Sequence, residues 1–115
     1  GVGMVIEETV NENRLILSKE SKIKYLEKLI GKMIKILHLI EEEKDTGNSP
    51  SDFIYGQLVE MNSANQLFDN ELVDIIVKLN VVYRDYNKIE FNKIKKQIFE
   101  IKNRINYLIK SLTGE

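Results

Sequence analysis

Apolar residues recur at steps of three and four along two long segments of the chain. The first seam consists of Ile23, Leu26, Ile30, Met33, Leu37 and Ile40, and the last seam of Phe91, Ile94, Ile98, Ile101, Ile105, Leu108 and Leu112. Only a helix brings side chains at this spacing onto one stripe, so both segments are predicted to be long helices. We expect the two seams to pack against each other along their length.

The first long helix is predicted to begin at Ser18 or Ser21, because serine is a good N-cap, and to end near Glu43. A loop of polar residues and glycine follows at 44–49. Proline is tolerated at the first position of a helix, so Ser49 and Pro50 predict the start of a second helix.

The second helix is predicted to direct Ile54, Leu58 and Met61 inward. Residues 65–70 are interpreted as a tight connection in which Asp69 or Asn70 caps a third helix. The third helix is predicted from the spacing of Leu72, Ile75, Leu79, Val82 and Tyr86.

A strand is the alternative for this third segment. Val73, Ile75, Val77, Leu79, Val81 and Tyr83 alternate, and β-branched residues favour strands. The helix is preferred because acidic residues at its start complement the helix dipole, and because no partner strand is evident. Residues 87–88 then turn into the last helix.

The fold predicted from these elements is all-α: an antiparallel up-down-up-down four-helix bundle with a short N-terminal arm. Residues 1–17 are assigned to a tag remnant and the arm, and residues 18–115 to the helical bundle domain. For residues 5–17 a β-hairpin, a helical turn and a loose arm all stay open, with an ordered arm preferred. Gly31 and Gly56 are interpreted as points where neighbouring helices approach closely, and Asn80 as a buried residue that sets the helix register.

Catalytic chemistry finds no support in the residues. The 115-residue chain has no cysteine and a single histidine, His38, and it shows no phosphate-binding loop and no nucleophile beside a histidine. His38 with Glu41 and Glu42 could form a ligand patch, but a solvated histidine is the preferred interpretation. We therefore expect no enzyme, no catalytic residue, no metal and no cofactor.

The origin and compartment are inferred from composition. Frequent Ile, Lys and Asn suggest an AT-rich bacterial genome. No apolar run approaches the roughly 20 residues that cross a bilayer, so a cytoplasmic protein with no transmembrane segment is expected.

Charge is distributed in three blocks. Residues 18–40 carry six lysines against two glutamates, and residues 88–112 carry seven basic residues against two acidic ones. Residues 41–75 carry nine acidic residues against one lysine. Both long helices are therefore basic and the middle is acidic, and attraction within the fold is the preferred explanation.

Two sets of residues are candidates for binding a partner. The first is a lysine stripe on the first helix, formed by Lys24, Lys28, Lys32 and Lys35. The second consists of apolar residues outside the seams, namely Tyr25, Leu39, Phe99 and Tyr107. Exposed aromatic residues near basic ones suit a contact with a protein. The alternative for the lysine stripe is a solvated face. The alternative for the apolar residues is that the arm or a wider core covers them.

Asn87, Lys88, Ile89, Glu90 and Phe91 resemble the entry into the fourth helix of the small four-helix bacteriocin immunity proteins of Gram-positive bacteria. The resemblance covers the last two helices, and the size and fold class suit that family. It implies recognition by a basic surface and a C-terminal segment. The acidic middle and the short segment after Leu112 depart from that pattern.

The preferred functional hypothesis is a small non-enzymatic helical-bundle protein that acts by contact with a protein partner or with itself. An immunity-like four-helix protein is one alternative. A nucleic-acid accessory protein that uses the lysine faces of the first and last helices is another, although arginine, the better phosphate ligand, is scarce.

Overall fold

The computed structural model of the chain describes residues 6–8 and 15–114. Its elements are the strands β1 (Ile6–Glu8) and β2 (Leu15–Leu17) and the helices α1 (Lys19–Thr46), α2 (Ser51–Ala64), α3 (Val73–Asp85) and α4 (Phe91–Thr113), with a 3₁₀ helix (Asn65–Phe68) directly after α2. The described part of the chain is thus mostly helical, and the packing of its four helices is consistent with a bundle.

Helix α1 is closed at both ends by local hydrogen bonds. The Ser18 hydroxyl accepts a hydrogen bond from the Ser21 backbone N–H at 3.2 Å, which confirms Ser18 as the N-cap. At the other end Gly47 adopts a left-handed conformation with φ of 71°, and its N–H donates to the Glu43 carbonyl. The helix therefore continues past Glu43 to Thr46, because the chain leaves it only where glycine permits this turn.

The start of α2 follows the predicted serine–proline pattern. The Ser49 hydroxyl accepts a hydrogen bond from the Ser51 N–H at 3.2 Å, and the Pro50 carbonyl accepts one from the Ile54 N–H. Ser49 also lies 2.8 Å from the Tyr86 hydroxyl, so the loop before α2 is tied to the end of α3. The N-cap of α2 is Pro50, one residue later than the predicted Ser49 cap, and Ser51 is the first helical residue.

The connection from α2 to α3 differs from the prediction. Asp69 and Asn70 do not cap α3, because both have positive φ, 51° and 64°, and form the left-handed turn that reverses the chain. Short polar side chains tolerate this conformation better than others. The side-chain oxygen of Asn65 instead accepts a hydrogen bond from the Leu72 N–H at 3.0 Å.

The last seam lies in the core as predicted. Ile94, Ile98, Ile101 and Ile105 have no exposed surface. Phe91, Leu108 and Leu112 are half-buried and pack at the edge of the same core. Among the described elements, α1 and α4 share the most extensive contact, so the two long helices do pack together.

The buried stripe of α1 is shifted from the predicted first seam. Leu26, Met33 and Ile40 are buried as predicted, but Leu29 and Ile36 are the other core residues of the stripe. Ile23, Ile30 and Leu37 are only half-buried. Both stripes satisfy the spacing of three and four. Helix α4 packs extensively on α1, and α2 contacts α1 through Lys32 and Lys35. The residues between these two neighbours are therefore the ones buried most completely.

The hairpin alternative for the N-terminal arm is the one observed in the described residues. Strands β1 and β2 pair antiparallel, with Ile6 opposite Leu17. Leu17 is 3% exposed and belongs to the core, so the second strand packs on the bundle. Residues 1–5 and 9–14, which include the interpreted tag remnant, lie outside the described residues.

Three interpretations of polar or small residues within helices are wrong. A Cβ atom at Gly31 or Gly56 would meet nothing within 4 Å, so neither glycine marks a close approach. Asn80 is exposed, and its side-chain amide donates to the Ile76 carbonyl one turn earlier at 3.2 Å. These positions lie on the outer faces of their helices, which the apolar spacing alone did not show.

No helix in the described residues is both long and apolar enough to span a membrane.

Truncation of the seam between α1 and α4 tests the core. We expect Ile101→Ala to lower the free energy of unfolding by about 2–5 kcal/mol, because it removes buried surface and leaves a cavity. Ile34→Ala is the matched control, since Ile34 is 39% exposed, and its cost should stay below about 1 kcal/mol. Urea unfolding followed by circular dichroism measures both. Equal losses would show that the seam is not the core.

Replacement of the two helical glycines should stabilise the protein. Gly31→Ala and Gly56→Ala should each raise the free energy of unfolding by about 0.5–1 kcal/mol, because alanine restricts the unfolded chain and meets no neighbour. Thermal unfolding measures the gain. Gly47→Ala is the control, and it should destabilise the protein because φ at Gly47 is 71°. A loss of stability in the first two variants would contradict the open surroundings of both positions.

Candidate protein-contact surface

Helix α3 has an apolar stripe on its outer side as well as one in the core. Ile75, Leu79 and Val82 are fully buried, whereas Val73 is 49% exposed and Val77 is 56% exposed. Exposed valine gains nothing from helix propensity, since its β-branched side chain loses freedom in a helix. Helix stability therefore gives no reason for valine at these two positions.

Helix α2 extends the exposed apolar surface beside α3. Tyr55 is 56% exposed and Val59, one turn later, is 48% exposed. The Tyr55 ring contacts the ring of Tyr83 on α3, with 6.0 Å between the centroids. We call the surface formed by Tyr55, Val59, Val73, Val77 and Tyr83 the α2–α3 face.

Two shallow hollows flank Val77 on the α2–α3 face. One, of about 480 Å³, is lined by Val77, Asn80, Val81, Tyr83 and Arg84. The other, of about 500 Å³, lies toward α4 and is lined by Asn70, Glu71, Val73, Asp74, Val77, Arg104 and Leu108. Val77 lines both hollows, with Val81 in the first and Val73 in the second.

Charged groups at the border of the α2–α3 face are paired within the chain. Asp74 accepts a hydrogen bond from Lys78 at 3.2 Å and forms an ion pair with Arg104 at the same distance. Arg84 donates to Asp85 at 2.9 Å, and this hydrogen bond lowers the pKa of the Asp85 carboxyl. The apolar part of the face is thus bordered by neutralised pairs rather than by isolated charges.

Tyr25 is predicted to be exposed, but in the structure it is buried. Its side chain is 8% exposed and packs on Phe68 of the 3₁₀ helix, with 5.2 Å between ring centroids. Burial raises the pKa of the Tyr25 hydroxyl above its ordinary value of 10.0, and the negative charge of Glu60 raises it further. Tyr25 and Phe68 are 43 residues apart in the sequence, and no local spacing predicts a contact between them.

The other three apolar candidates outside the seams differ in their exposure. Phe99 is 40% exposed and Tyr107 is 58% exposed, both on α4, whereas Leu39 of α1 is half-buried. The ammonium groups of Lys95 and Lys102 lie 6.0 and 4.9 Å from the Phe99 ring centroid. The aromatic residues of α4 thus lie among cations, unlike those of the α2–α3 face.

The lysine stripe of α1 is only partly available to a partner. Lys32 is half-buried and pairs with Glu60 of α2 at 3.2 Å. The Lys35 ammonium lies 4.5 Å from the ring centroid of Phe53, also on α2. Lys24 and Lys28 are exposed. Half of the stripe therefore contributes to the contact between α1 and α2.

Three ion pairs join the basic helices to the acidic middle of the chain. They are Lys22–Glu71 at 3.1 Å, Lys32–Glu60 and Arg104–Asp74. The Lys22 side chain is 11% exposed and also lies over the Phe68 ring. These pairs agree with the interpretation that the charge blocks attract each other within the fold, although exposed pairs contribute at most about 1 kcal/mol each.

A hollow of about 610 Å³ lies at the end of the bundle where α1 meets the start of α4. Ile40, Tyr86, Ile89 and Phe91 line it together with the carboxylates of Glu41, Glu43 and Glu90. No serine, histidine or cysteine lines it. His38 is exposed, and within residues 6–8 and 15–114 no group of three or more histidine or acidic side chains could hold a metal ion.

One sequence signal could have revealed the α2–α3 face. The alternating apolar residues of the third segment belong to two stripes of one helix. One stripe faces the core, and the other, at residues 73 and 77, is exposed. Once the segment is a helix, these valines lie off the core stripe and call for an explanation. In the sequence, the alternation by itself indicates either a helix or a strand.

No protein-family model, curated protein or solved structure matches the chain. The resemblance to the bacteriocin immunity proteins therefore depends on residues 87–91 alone.

The buried hydroxyl of Tyr25 makes stability depend on alkaline pH. Its pKa is raised in the folded state, so folding favours the neutral form, and this contribution is lost as the pH rises above 10.0. The slope from this group approaches about 1.4 kcal/mol per pH unit. We expect Tyr25→Phe to reduce the fall in unfolding free energy between pH 9 and 11, measured by urea unfolding, whereas the exposed-site control Tyr107→Phe should not. Identical slopes in wild type and Tyr25→Phe would contradict the burial of this hydroxyl.

Proposed function

We propose that the chain is a non-enzymatic binding protein that acts by contact with another protein through the α2–α3 face. The observation that carries the proposal is that Tyr55, Val59, Val73 and Val77 are each about half exposed on two helices, α2 and α3, that pack against each other. Side chains of this kind cost free energy in water and are typical of surfaces that a partner covers. Tyrosine is also enriched where binding energy is concentrated.

The chemistry of the α2–α3 face favours a protein over a nucleic acid. Nucleic-acid binding depends on lysine and arginine side chains that are free to neutralise phosphates. On this face Arg84 is already paired with Asp85, and Arg104 with Asp74. An apolar surface with paired charges at its border is better matched by a surface of the same kind.

We further propose that the four helices alternate in direction, as in an up-down-up-down bundle. Contacts of α1 with α2 run in opposite order along the two helices, since Lys32 pairs with Glu60 and Lys35 contacts Phe53 nearer the start of α2. Connections of only a few residues favour antiparallel neighbours. In this arrangement α2 and α3 lie side by side and present one continuous surface.

The lysine and aromatic residues of α1 and α4 form the competing surface. Phe99 and Tyr107 are exposed on α4 beside Lys95, Lys102 and Arg104, and Lys24 and Lys28 are exposed on α1. A partner there would have to be acidic, whether protein or nucleic acid, and its binding would weaken steeply with salt. An experiment can therefore distinguish the two surfaces.

Paired charge substitutions test which surface binds. Val59→Glu with Val77→Glu should lower capture of partner proteins at least about tenfold, because a charge buried in an apolar contact is strongly unfavourable. The matched control is Phe99→Glu with Tyr107→Glu, which should retain binding. The measurement is quantitative mass spectrometry of proteins captured from the source organism, including further copies of this chain, with circular dichroism to verify folding.

The opposite pattern would contradict the proposal. Loss of binding only in the Phe99→Glu, Tyr107→Glu variant would move the contact to α4. Capture of nucleic acid that disappears with added salt would favour the nucleic-acid alternative.

A further inference from the structure

We propose that the hollow at the end of the bundle binds a small organic cation, an ammonium compound that carries an apolar group. The hollow measures about 610 Å³, within the range of about 300–1,000 Å³ that is usual for small-molecule sites. The end of α1, the turn after α3 and the start of α4 meet there and form its walls. It shares no residue with the α2–α3 face, so its occupation is a separate property of the fold.

The walls of this hollow are apolar and belong to the edge of the core. Ile40 is 8% exposed, and Tyr86, Ile89 and Phe91 are half-buried against the core cluster. The Tyr86 hydroxyl lies 2.8 Å from the Ser49 hydroxyl, and this hydrogen bond restricts the Tyr86 ring. A preformed apolar wall favours a ligand with an apolar group, because binding removes the surface of both from water.

The charged groups around the hollow are negative on balance. Glu41, Glu43 and Glu90 contribute three carboxylates, and Lys44 contributes one ammonium group. Among the described residues none of these four groups forms an ion pair, in contrast to the charges that border the α2–α3 face. The negative end of the α1 dipole and the positive end of the α4 dipole meet here and oppose each other, so the carboxylates determine the sign of the field.

The kind of cation follows from the other lining residues. Tyr86 and Phe91 supply aromatic rings, which attract ammonium groups, and the attraction is stronger where water is partly excluded. A metal ion is not matched, since no group of three histidine or acidic side chains in residues 6–8 and 15–114 could hold one. An organic cation is larger, and it can use carboxylates that are too far apart to share a metal ion.

Titration of the full chain with benzyltrimethylammonium, followed by nuclear magnetic resonance, tests the site. We expect chemical-shift changes at Ile40, Ile89 and Phe91, because the benzyl group should lie against them. Phenylmethanesulfonate, an anion of similar size and shape, is the control ligand. It should bind at least about tenfold more weakly, since it meets the carboxylates instead of a counter-charge.

Two double variants with the same change in net charge separate the site from general attraction. Glu43→Gln with Glu90→Gln should weaken binding of benzyltrimethylammonium at least about fivefold, because both carboxylates line the hollow. Glu42→Gln with Asp45→Asn is the matched control and should change it less than about twofold, since both residues are exposed on α1 and do not line the hollow. Circular dichroism verifies that every variant is folded.

Three results would overturn the inference. They are equal affinity for the cation and the anion, shift changes scattered over the surface, and equal losses in the two double variants. None of them would bear on the proposed function, because Val59 and Val77 lie outside the hollow. Unchanged protein capture by Val59→Glu with Val77→Glu would likewise leave the cation site standing.

Discussion

The contact between α1 and α4 determines where every other element can lie. Ile94, Ile98, Ile101 and Ile105 are fully enclosed, and each such side chain contributes about 1.5–3 kcal/mol by leaving water. The chain contains one alanine, so its helices receive little support from intrinsic propensity and must be stabilised by packing. The two long helices therefore form the main part of the core, and α2 and α3 pack beside them.

The middle of the chain is positioned by weaker and more local interactions. Ser49 ties the start of α2 to the end of α3, and Asn65 holds the backbone at Leu72. Ion pairs such as Lys22–Glu71 attract the acidic segment to the basic helices. Charged groups also border the outer side of α2 and α3, but they are paired with each other, as in Lys78–Asp74 and Arg84–Asp85. Between them lie exposed valine and tyrosine side chains.

Local rules predicted the helices well because the determining residues are neighbours in the chain. Ser18 accepts the cap hydrogen bond that its position indicated, and α2 begins within two residues of the predicted Ser49 cap. The turn at Asp69 and Asn70 was predicted incorrectly, because the same residue types favour both a cap and a left-handed turn. Which of the two forms depends on the direction that α3 must take, and that direction is set by distant packing. The candidate surface was predicted less well, since Phe99 and Tyr107 are exposed but Tyr25 is not.

Spacing along the chain decides that four segments are helices, because the periodicity of apolar residues is a property of the backbone geometry. It does not decide which side of a helix faces the core when two stripes satisfy the same spacing. Leu29 is buried whereas Ile30 is only half-buried, and Val77 is exposed although α3 packs against both α2 and α4 through residues such as Leu79. Burial is a relation between elements that are far apart in sequence, so only the assembled fold assigns it.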